Sequence, residues 1–340
     1  MSTDSWLIFR GDNAPANRLK NLPPPPSWRS LRDTEIGNPV PPEDLDSDAA
    51  HWRPQRGKTF RLKSEVLKQA VNAALYLRRP LLLTGQPGTG KSSLIYAVAY
   101  ELGMGPVLKW PITSRSTLKS GEYEYDALRR LNDIRQKEAG ASDDGSANVD
   151  DIGNYLTLGP LGAAMYPSEW PRALLIDEID KADLDLPNDL LNIFEDGYFV
   201  INELTRGGDR PVNVKVPGFK ERQPVPPDGR VTAKQFPFVV LTSNNEREFP
   251  APFLRRCIRA KMPEPTKDDL QEIVESHLGT QTNKDLANKL IERFDKEKDK
   301  LATDQLLNAV FLTIGSQRHN TVPGDEEREK IIQLLLQHLT

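Results

Sequence analysis

The segment from Gly85 to Ser93 carries the residue types that bind the phosphates of a nucleotide. Its glycines allow the backbone to turn several N–H groups inward onto a phosphate, a conformation that is costly for residues with a β-carbon. Lys91 can reach the β- and γ-phosphates as a compact cation, and the Ser92 hydroxyl can ligate Mg²⁺. The sequence therefore predicts that ATP and Mg²⁺ bind to Gly85, Gln86, Pro87, Gly88, Thr89, Gly90, Lys91, Ser92 and Ser93.

The surrounding sequence decides between this interpretation and a Gly/Pro-rich turn that matches by chance. The apolar run Leu81-Leu82-Leu83 before the loop is typical of a buried strand, and a helical pattern follows from about Lys91 to Leu102. A phosphate-binding loop lies between a strand and a helix, and the positive end of that helix adds to the field at the phosphate. The context therefore favours a phosphate-binding loop.

Two acidic residues follow a second apolar run. Residues 173–176 predict another buried strand, and Asp177 and Glu178 stand at its carboxyl end, where an α/β sheet binds its ligand. Asp177 is the predicted metal ligand beside the serine hydroxyl, and Glu178 is the predicted catalytic residue that polarises the attacking water. The alternative is a pair of acids that caps the next helix, with Asp180 and Lys181 as surface charges. A carboxylate adjacent to a metal ligand favours hydrolysis over binding alone.

The composition is that of an ordinary globular protein without a basic excess. The 340 residues are 37% apolar and 28% charged, with a net charge of −4, so nothing indicates a general nucleic-acid-binding surface. A single cysteine, Cys257, excludes an intrachain disulfide framework, and the four histidines lack metal-ligand spacing. No run approaches the roughly 18 apolar residues that cross a bilayer, and the N-terminus lacks a secretory pattern. These features predict a cytoplasmic protein without a membrane span.

The order of the predicted elements divides the chain into three parts. Residues 58–264 alternate between helices and short apolar strands, which predicts an α/β fold of the P-loop NTPase type, a parallel sheet sandwiched by helices. Two insertions interrupt it, near 113–165 and 197–235, and five prolines in the second predict an irregular segment. Residues 265–340 predict a small all-helical lid domain.

The first part, residues 1–57, is an N-terminal arm rich in proline and tryptophan. The prolines exclude regular helices and central strands, whereas the aromatic residues are too frequent for a purely solvated linker. Two interpretations stay open. Either the arm packs across its own domain, or it is a docking tail that uses Trp6-Leu7-Ile8-Phe9 to bind another protein.

Residues 60–315, which contain both the phosphate-binding loop and the acidic pair, resemble the AAA+ ATPases, and among them the MoxR-like group. The fourth predicted strand ends in Val239-Val240-Leu241-Thr242-Ser243-Asn244, which is similar to the sensor-1 element. The segment Phe249-Pro250-Ala251-Pro252-Phe253-Leu254-Arg255-Arg256-Cys257 is similar to the one that presents an arginine finger to the neighbouring subunit. The two insertions resemble those of the MoxR-like group, with Leu158-Gly159-Pro160-Leu161-Gly162 at the end of the first.

The resemblance implies catalytic roles for three further residues. Asn244 would help to place the attacking water, and Arg256, with Arg255 as the second choice, would meet the charge that develops on the γ-phosphate. The alternatives are a simple turn at Asn244 and a solvated pair of arginines. The lid segment 301–307 lacks the sensor-2 arginine of many AAA+ proteins, and Arg318 is the nearest, displaced candidate.

The resemblance also implies how the protein works. A finger supplied in trans requires a homo-oligomer, usually a hexameric ring in this family. The expected function is a Mg-ATP-hydrolysing chaperone that remodels or activates a partner protein, and the implied partner class is a protein with a von Willebrand factor A domain. Two other functions stay open, a nucleic-acid-associated NTPase (a nuclease or restriction-type motor) and a slow nucleotide-gated switch. Trp110, Tyr123 and Tyr125 either grip a substrate polypeptide or pack.

Overall fold

A computed structural model gives the fold of most of the chain. It describes residues 6–15, 18–29, 57–58, 60, 62–139, 151–205, 209–278, 284–296, 301, 303–314 and 325–335. Within these residues no helix is both long enough and apolar enough to cross a membrane.

A five-stranded parallel sheet forms the centre of the core. Its strands are β1 Leu81–Thr84, β2 Leu108–Pro111, β5 Ala173–Asp177, β10 Phe238–Ser243 and β11 Ile258–Lys261. They lie in the order β11-β1-β10-β5-β2. Three of them, β1, β5 and β10, consist almost entirely of buried residues. Because parallel strands cannot be joined by a tight turn, each connection between consecutive strands of this sheet crosses over through a helix.

The register of this sheet brings three predicted segments to one edge. Thr84, at the end of β1, lies beside Ser243 at the end of β10. Ile176 lies beside Leu241, so the end of β5 also reaches this edge. The phosphate-binding loop, the acidic pair and the sensor-1 segment therefore begin side by side, although they are distant in the sequence.

Helices cover the sheet on both faces and form the region after the sheet. The helix that precedes β1 is capped by the Ser64 hydroxyl, which accepts a hydrogen bond from the Leu67 N–H. Val66, in the first turn of this helix, is 71% exposed. The helices are α1 Glu65–Leu77, α2 Lys91–Leu102, α3 Leu118–Glu122, α4 Ala127–Glu138, α5 Pro160–Met165, α6 Asp185–Asp196, α7 Ala251–Arg256, α8 Lys267–Leu278, α9 Lys284–Lys296, α10 Thr303–Ile314 and α11 Asp325–Leu335.

The two faces of the sheet pack against different helices. One buried cluster joins α1 and α2 to the sheet through side chains such as Val71 and Leu94. The other joins α5 and α6 through side chains such as Leu161 and Leu190. A third, separate cluster consists of residues from α8 to α11 and Leu301, in the segment that we proposed as the lid.

The second insertion is more regular than its five prolines predicted. It contains two antiparallel ladders, in which β6 Tyr198–Val200 pairs with β9 Arg230–Thr232 and β7 Val212–Val214 pairs with β8 Gln223–Val225. The prediction of an irregular segment was wrong because proline is compatible with short two-stranded ribbons, where a strand has a free edge. Pro224 sits in β8 opposite Asn213 in this way. The first insertion forms a similar pair, β3 Tyr123–Tyr125 with β4 Leu156–Leu158.

The described part of the N-terminal arm packs on its own core. Ile8 and Phe9 are buried in the cluster that includes α1 and α2. The buried Asn72 side chain on α1 fixes the arm, because its Oδ1 accepts from the Ile8 and Phe9 N–H groups at 2.8 and 3.0 Å and its Nδ2 donates to the Phe9 carbonyl at 2.8 Å. Trp6 rests edge-on against Tyr76. The structure therefore agrees with the packing interpretation for residues 6–9, while Trp52 lies outside the described residues.

We expect Asn72→Leu to destabilise the protein by about 3 kcal/mol, because the apolar isostere leaves three buried backbone groups of the arm without a partner. Urea unfolding measures this loss, and limited proteolysis should cut the arm first. The exposed Asn132 on α4 supplies the matched control, and Asn132→Leu should change the stability by less than about 0.5 kcal/mol. Equal stability of the two variants would show that the arm is not anchored by Asn72.

Candidate nucleotide site

The phosphate-binding loop has the backbone conformation that its glycines predicted. Gly88 and Gly90 have φ angles of 76° and 86°, in the left-handed region, which glycine adopts at little cost. Gly90 also precedes the first residue of α2, Lys91. The helix therefore begins directly at the loop, so its free N–H groups and positive end face the space where a phosphate binds.

Lys91 lies across the mouth of this loop. Its Nζ donates to the carbonyls of Gly85 and Gln86 at 2.7 and 2.8 Å and to Asn244 Oδ1 at 2.8 Å. Burial lowers the pKa of Lys91, and the nearby carboxylates of Asp180 and Asp177 oppose that change. The ammonium group thus links the loop to the sensor-1 segment, and these contacts fix it beside the space where a phosphate binds.

Asp177 joins three elements through its carboxylate. Its Oδ1 accepts from Ser92 Oγ at 2.6 Å and from Thr242 Oγ1 at 2.8 Å, and its Oδ2 pairs with Lys109 Nζ at 2.8 Å. Burial raises the pKa of Asp177, but the hydrogen bonds from Lys109, Ser92 and Thr242 outweigh burial, so the pKa lies below its usual value. An ionised carboxylate beside a serine hydroxyl is a donor set that suits Mg²⁺, and the predicted pair is brought together.

Glu178 follows in a strained backbone conformation. Its φ and ψ angles of 62° and 50° are left-handed, which for a residue other than glycine costs on the order of 1 kcal/mol. A hydrogen bond of 2.9 Å from the Glu178 N–H to Thr242 Oγ1 holds this turn. The side chain borders the nucleotide cavity and accepts from Lys181 Nζ at 2.6 Å. Glu178 does not cap a helix through its side chain.

Asp180 is buried, so its alternative assignment as a surface charge was wrong. It is only 2% exposed, and its Oδ2 accepts from Ser243 Oγ at 3.0 Å, the Asn244 N–H at 2.8 Å and the Glu246 N–H at 3.1 Å. This carboxylate therefore shapes the turn after β10. Asn244 is both a turn residue and a partner of the loop lysine, so the two interpretations of this residue are compatible.

A cavity of 690 Å³ lies above the sheet edge, within the size range of small-molecule sites. The core side of its wall contains the phosphate-binding loop, the acidic pair and Asn244. The opposite side comes from α8 and α10 of the helical region, through residues such as Ile273 and Leu307. The described wall contains no arginine, and Arg318 lies outside the described residues.

Comparison with known proteins agrees with this geometry. Residues 80–257, just over half of the chain, match the family of the AAA domain (dynein-related subfamily). This chain belongs to that AAA family.

Two curated relatives show a weaker similarity. Both are Holliday junction branch migration complex subunits RuvB from Prochlorococcus marinus. The protein of strain MIT 9215 is 29% identical over 174 residues, which cover 45% of this chain and 47% of the relative. The protein of strain MIT 9301 is 31% identical over 144 residues, which cover 37% of this chain and 38% of the relative. The chain thus spans about half or less of the length of these relatives.

The family membership confirms the coarser predictions from the sequence. The AAA+ P-loop fold, the ATPase class and the use of ATP with Mg²⁺ agree with it. The structure contributes residues that the sequence analysis missed. Thr242 belongs to the segment that resembles sensor 1. Because Leu241 on β10 lies beside Ile176 on β5, the next residue, Thr242, lies close to Asp177.

The two candidate finger arginines of this AAA domain lie away from its own cavity. Arg256, on α7, forms an ion pair with Glu195 on α6, and the Arg255 carbonyl accepts from Arg79 at 3.2 Å. Neither arginine borders the nucleotide cavity. The structure therefore brings together the loop, Asp177, Glu178 and Asn244, but not the arginines.

We expect Asp180→Asn to lower stability by about 1–3 kcal/mol, because the hydrogen bonds to the turn lose their charged acceptor. Nucleotide affinity should fall as well, since this turn carries Asn244 and thereby the contact to Lys91. Thermal unfolding and titration with a fluorescent ATP analogue measure the two effects. Asp183→Asn, at an exposed position in the same segment, is the control. Wild-type behaviour of Asp180→Asn would show that the buried carboxylate does not shape the turn.

Proposed function

We propose that this chain is a ring-forming AAA+ ATPase of MoxR-like type that uses ATP hydrolysis to remodel or activate a partner protein. One observation carries the proposal. A single chain holds a cavity with the phosphate-binding loop, the acidic pair and Asn244, yet neither finger candidate borders that cavity, and Arg256 pairs with Glu195 instead. Such a site is complete only when another subunit supplies the missing cation.

Within one subunit, the proposed division of roles follows the contacts. The loop N–H groups and Lys91 bind the phosphates, and Ser92 with Asp177 holds the metal ion. When bound, Mg²⁺ neutralises phosphate charge and helps to orient the transferred group. Glu178 accepts the proton of the attacking water, and Asn244, fixed by Asp180 and Lys91, positions that water.

Arg256 is the proposed finger of the neighbouring subunit. It sits at the C-terminal end of α7 with its side chain partly exposed, and its one ion pair among the described residues is with Glu195. In the ring, the guanidinium exchanges this carboxylate for the γ-phosphate of the next subunit. Arg255 is the alternative, although its main chain is engaged by Arg79.

The charge of the first insertion supports a protein partner. It contains six basic residues against nine acidic ones, a net charge of −3, whereas the second contains seven against four, a net charge of +3. Nucleic-acid-binding surfaces are distinctly positive. A protein with a von Willebrand factor A domain remains the partner class that the MoxR-like resemblance implies.

The second candidate is a nucleic-acid-associated ATPase, and the similarity to the RuvB subunits favours it. Their names describe a Holliday junction branch migration complex. These matches cover less than half of this chain, and proteins that act on unrelated substrates can share one fold. We therefore rank this function second.

Glu178→Gln should bind ATP with an affinity within about threefold of the wild type while its turnover falls at least ~100-fold, because the amide cannot accept the proton of water. Phosphate release and binding of a fluorescent ATP analogue separate the two effects. Glu169→Gln, which alters an exposed carboxylate paired with Lys234, is the control. Full turnover in Glu178→Gln would remove Glu178 from the catalytic role. If the wild type turns over no faster than this variant, the protein is a slow nucleotide-gated switch.

The ATP-bound Glu178→Gln variant also identifies the partner class. In a pull-down it should retain a specific protein that the Lys91→Ala variant releases. Stimulation of the wild-type ATPase by polynucleotide, without any effect of the captured protein, would replace our proposal with the nucleic-acid-associated function.

Lys91→Ala and Arg256→Ala should each be inactive alone, whereas a mixture should recover activity. In an equal mixture, the Arg256→Ala subunit supplies an intact pocket and the Lys91→Ala subunit supplies an intact finger. These two meet in the productive order at about a quarter of the interfaces if subunits mix at random. Steady-state phosphate release measures the recovery, and Arg293→Ala, which removes a partly exposed arginine of α9 paired with Glu329, is the control. An active Arg256→Ala protein would show that Arg256 is not the finger. An inactive Arg255→Ala protein alongside it would assign the role to Arg255.

A further inference from the structure

The lysine on the edge strand of the sheet contacts the carboxylate that we propose as a metal ligand. Lys109 Nζ lies 2.8 Å from Asp177 Oδ2, and the side chains are 29% and 14% exposed. The motifs in the sequence do not include Lys109. None of the motifs therefore assigns a role to Lys109, although it contacts Asp177 directly.

The position of Lys109 on β2 explains why it reaches this carboxylate. Lys109 lies opposite Leu175 in the parallel ladder, and Pro111 lies opposite Asp177. Because side chains alternate along a strand, Lys109 and Asp177 share one face of the sheet. Leu108 and Trp110 point to the other face, into the cluster with α5 and α6. The ammonium group is thus directed at Asp177 by the strand itself.

With this contact, both oxygens of the carboxylate are occupied in the protein alone. Oδ1 accepts two hydroxyl groups, from Ser92 and Thr242. Oδ2 takes the ammonium group, which cancels the negative charge. A free divalent cation that approaches Asp177 therefore meets a neutral ion pair rather than an uncompensated carboxylate.

We propose that Lys109 is a positioning residue that keeps free divalent cations off Asp177, so that the metal ion enters only together with a nucleotide. This inference rests on the proposed role of Asp177 as a metal ligand. The negative charges of a triphosphate offset the repulsion between the ammonium group and the metal ion, whereas a cation without nucleotide has no such compensation. The site is then loaded with the metal–nucleotide complex as one unit.

Direct binding of Mn²⁺ without nucleotide, followed by electron paramagnetic resonance, tests this proposal. We expect Lys109→Met to bind Mn²⁺ at least about tenfold more tightly than the wild type, since the uncharged side chain leaves the carboxylate negative. Lys109→Arg should keep the weak binding of the wild type. Lys234→Met, which removes a lysine from a surface ion pair with Glu169, is the matched control. Circular dichroism confirms that each variant is folded.

Two further arms separate this proposal from the role of Asp177 itself. Adding Asp177→Asn to Lys109→Met should abolish the gained Mn²⁺ binding. Affinity for a fluorescent ATP analogue without metal should stay within about twofold in Lys109→Met, whereas a loss would show that Lys109 binds phosphate and overturn the proposal. Unchanged Mn²⁺ binding in Lys109→Met would also overturn it. If Asp177→Asn alone nevertheless removes the metal dependence of nucleotide binding, Asp177 keeps its proposed role.

Discussion

The Asp177 carboxylate is the contact on which the nucleotide site depends. Ser92 from the start of α2, Thr242 from β10 and Lys109 from β2 all bind this one group. These elements are separated by many residues, and the parallel sheet brings them to one edge. Because the carboxylate is ionised, it holds three donors through charge-assisted hydrogen bonds, which are stronger than neutral ones.

A second buried carboxylate, Asp180, extends this arrangement into the turn after β10. It fixes the backbone of Asn244, which in turn contacts Lys91. The phosphate-binding loop and the sensor-1 turn are thus joined directly through the contact of Lys91 with Asn244. On the far side of the sheet, Arg256 and Glu195 form a separate pair that does not touch the cavity. The proposed function joins these two regions through a neighbouring subunit.

Much of the fold and of the site was predictable from local sequence. The glycines, Lys91 and Ser92 form a phosphate-binding loop from consecutive residues, so the sequence alone reveals it. The apolar runs before Asp177 and Thr242 have the length of buried strands. Asp180 and Lys109 were not recognised, because a charged residue near a motif looks like a surface residue until the structure shows which groups its charge contacts. The prolines of the second insertion were misleading for a related reason. Proline lacks a backbone N–H, so it interrupts a strand only where its nitrogen faces an adjacent strand. Only the structure shows which way the nitrogen faces.

A cryo-electron microscopy structure of Glu178→Gln with ATP and Mg²⁺ tests the central claim most directly. We predict a closed ring in which Ser92 and Asp177 hold the metal ion and Arg256 has left Glu195 to contact the γ-phosphate in the adjacent subunit. A structure in which ATP fills the cavity while Arg256 remains paired with Glu195, and no neighbouring subunit reaches the γ-phosphate, would contradict it.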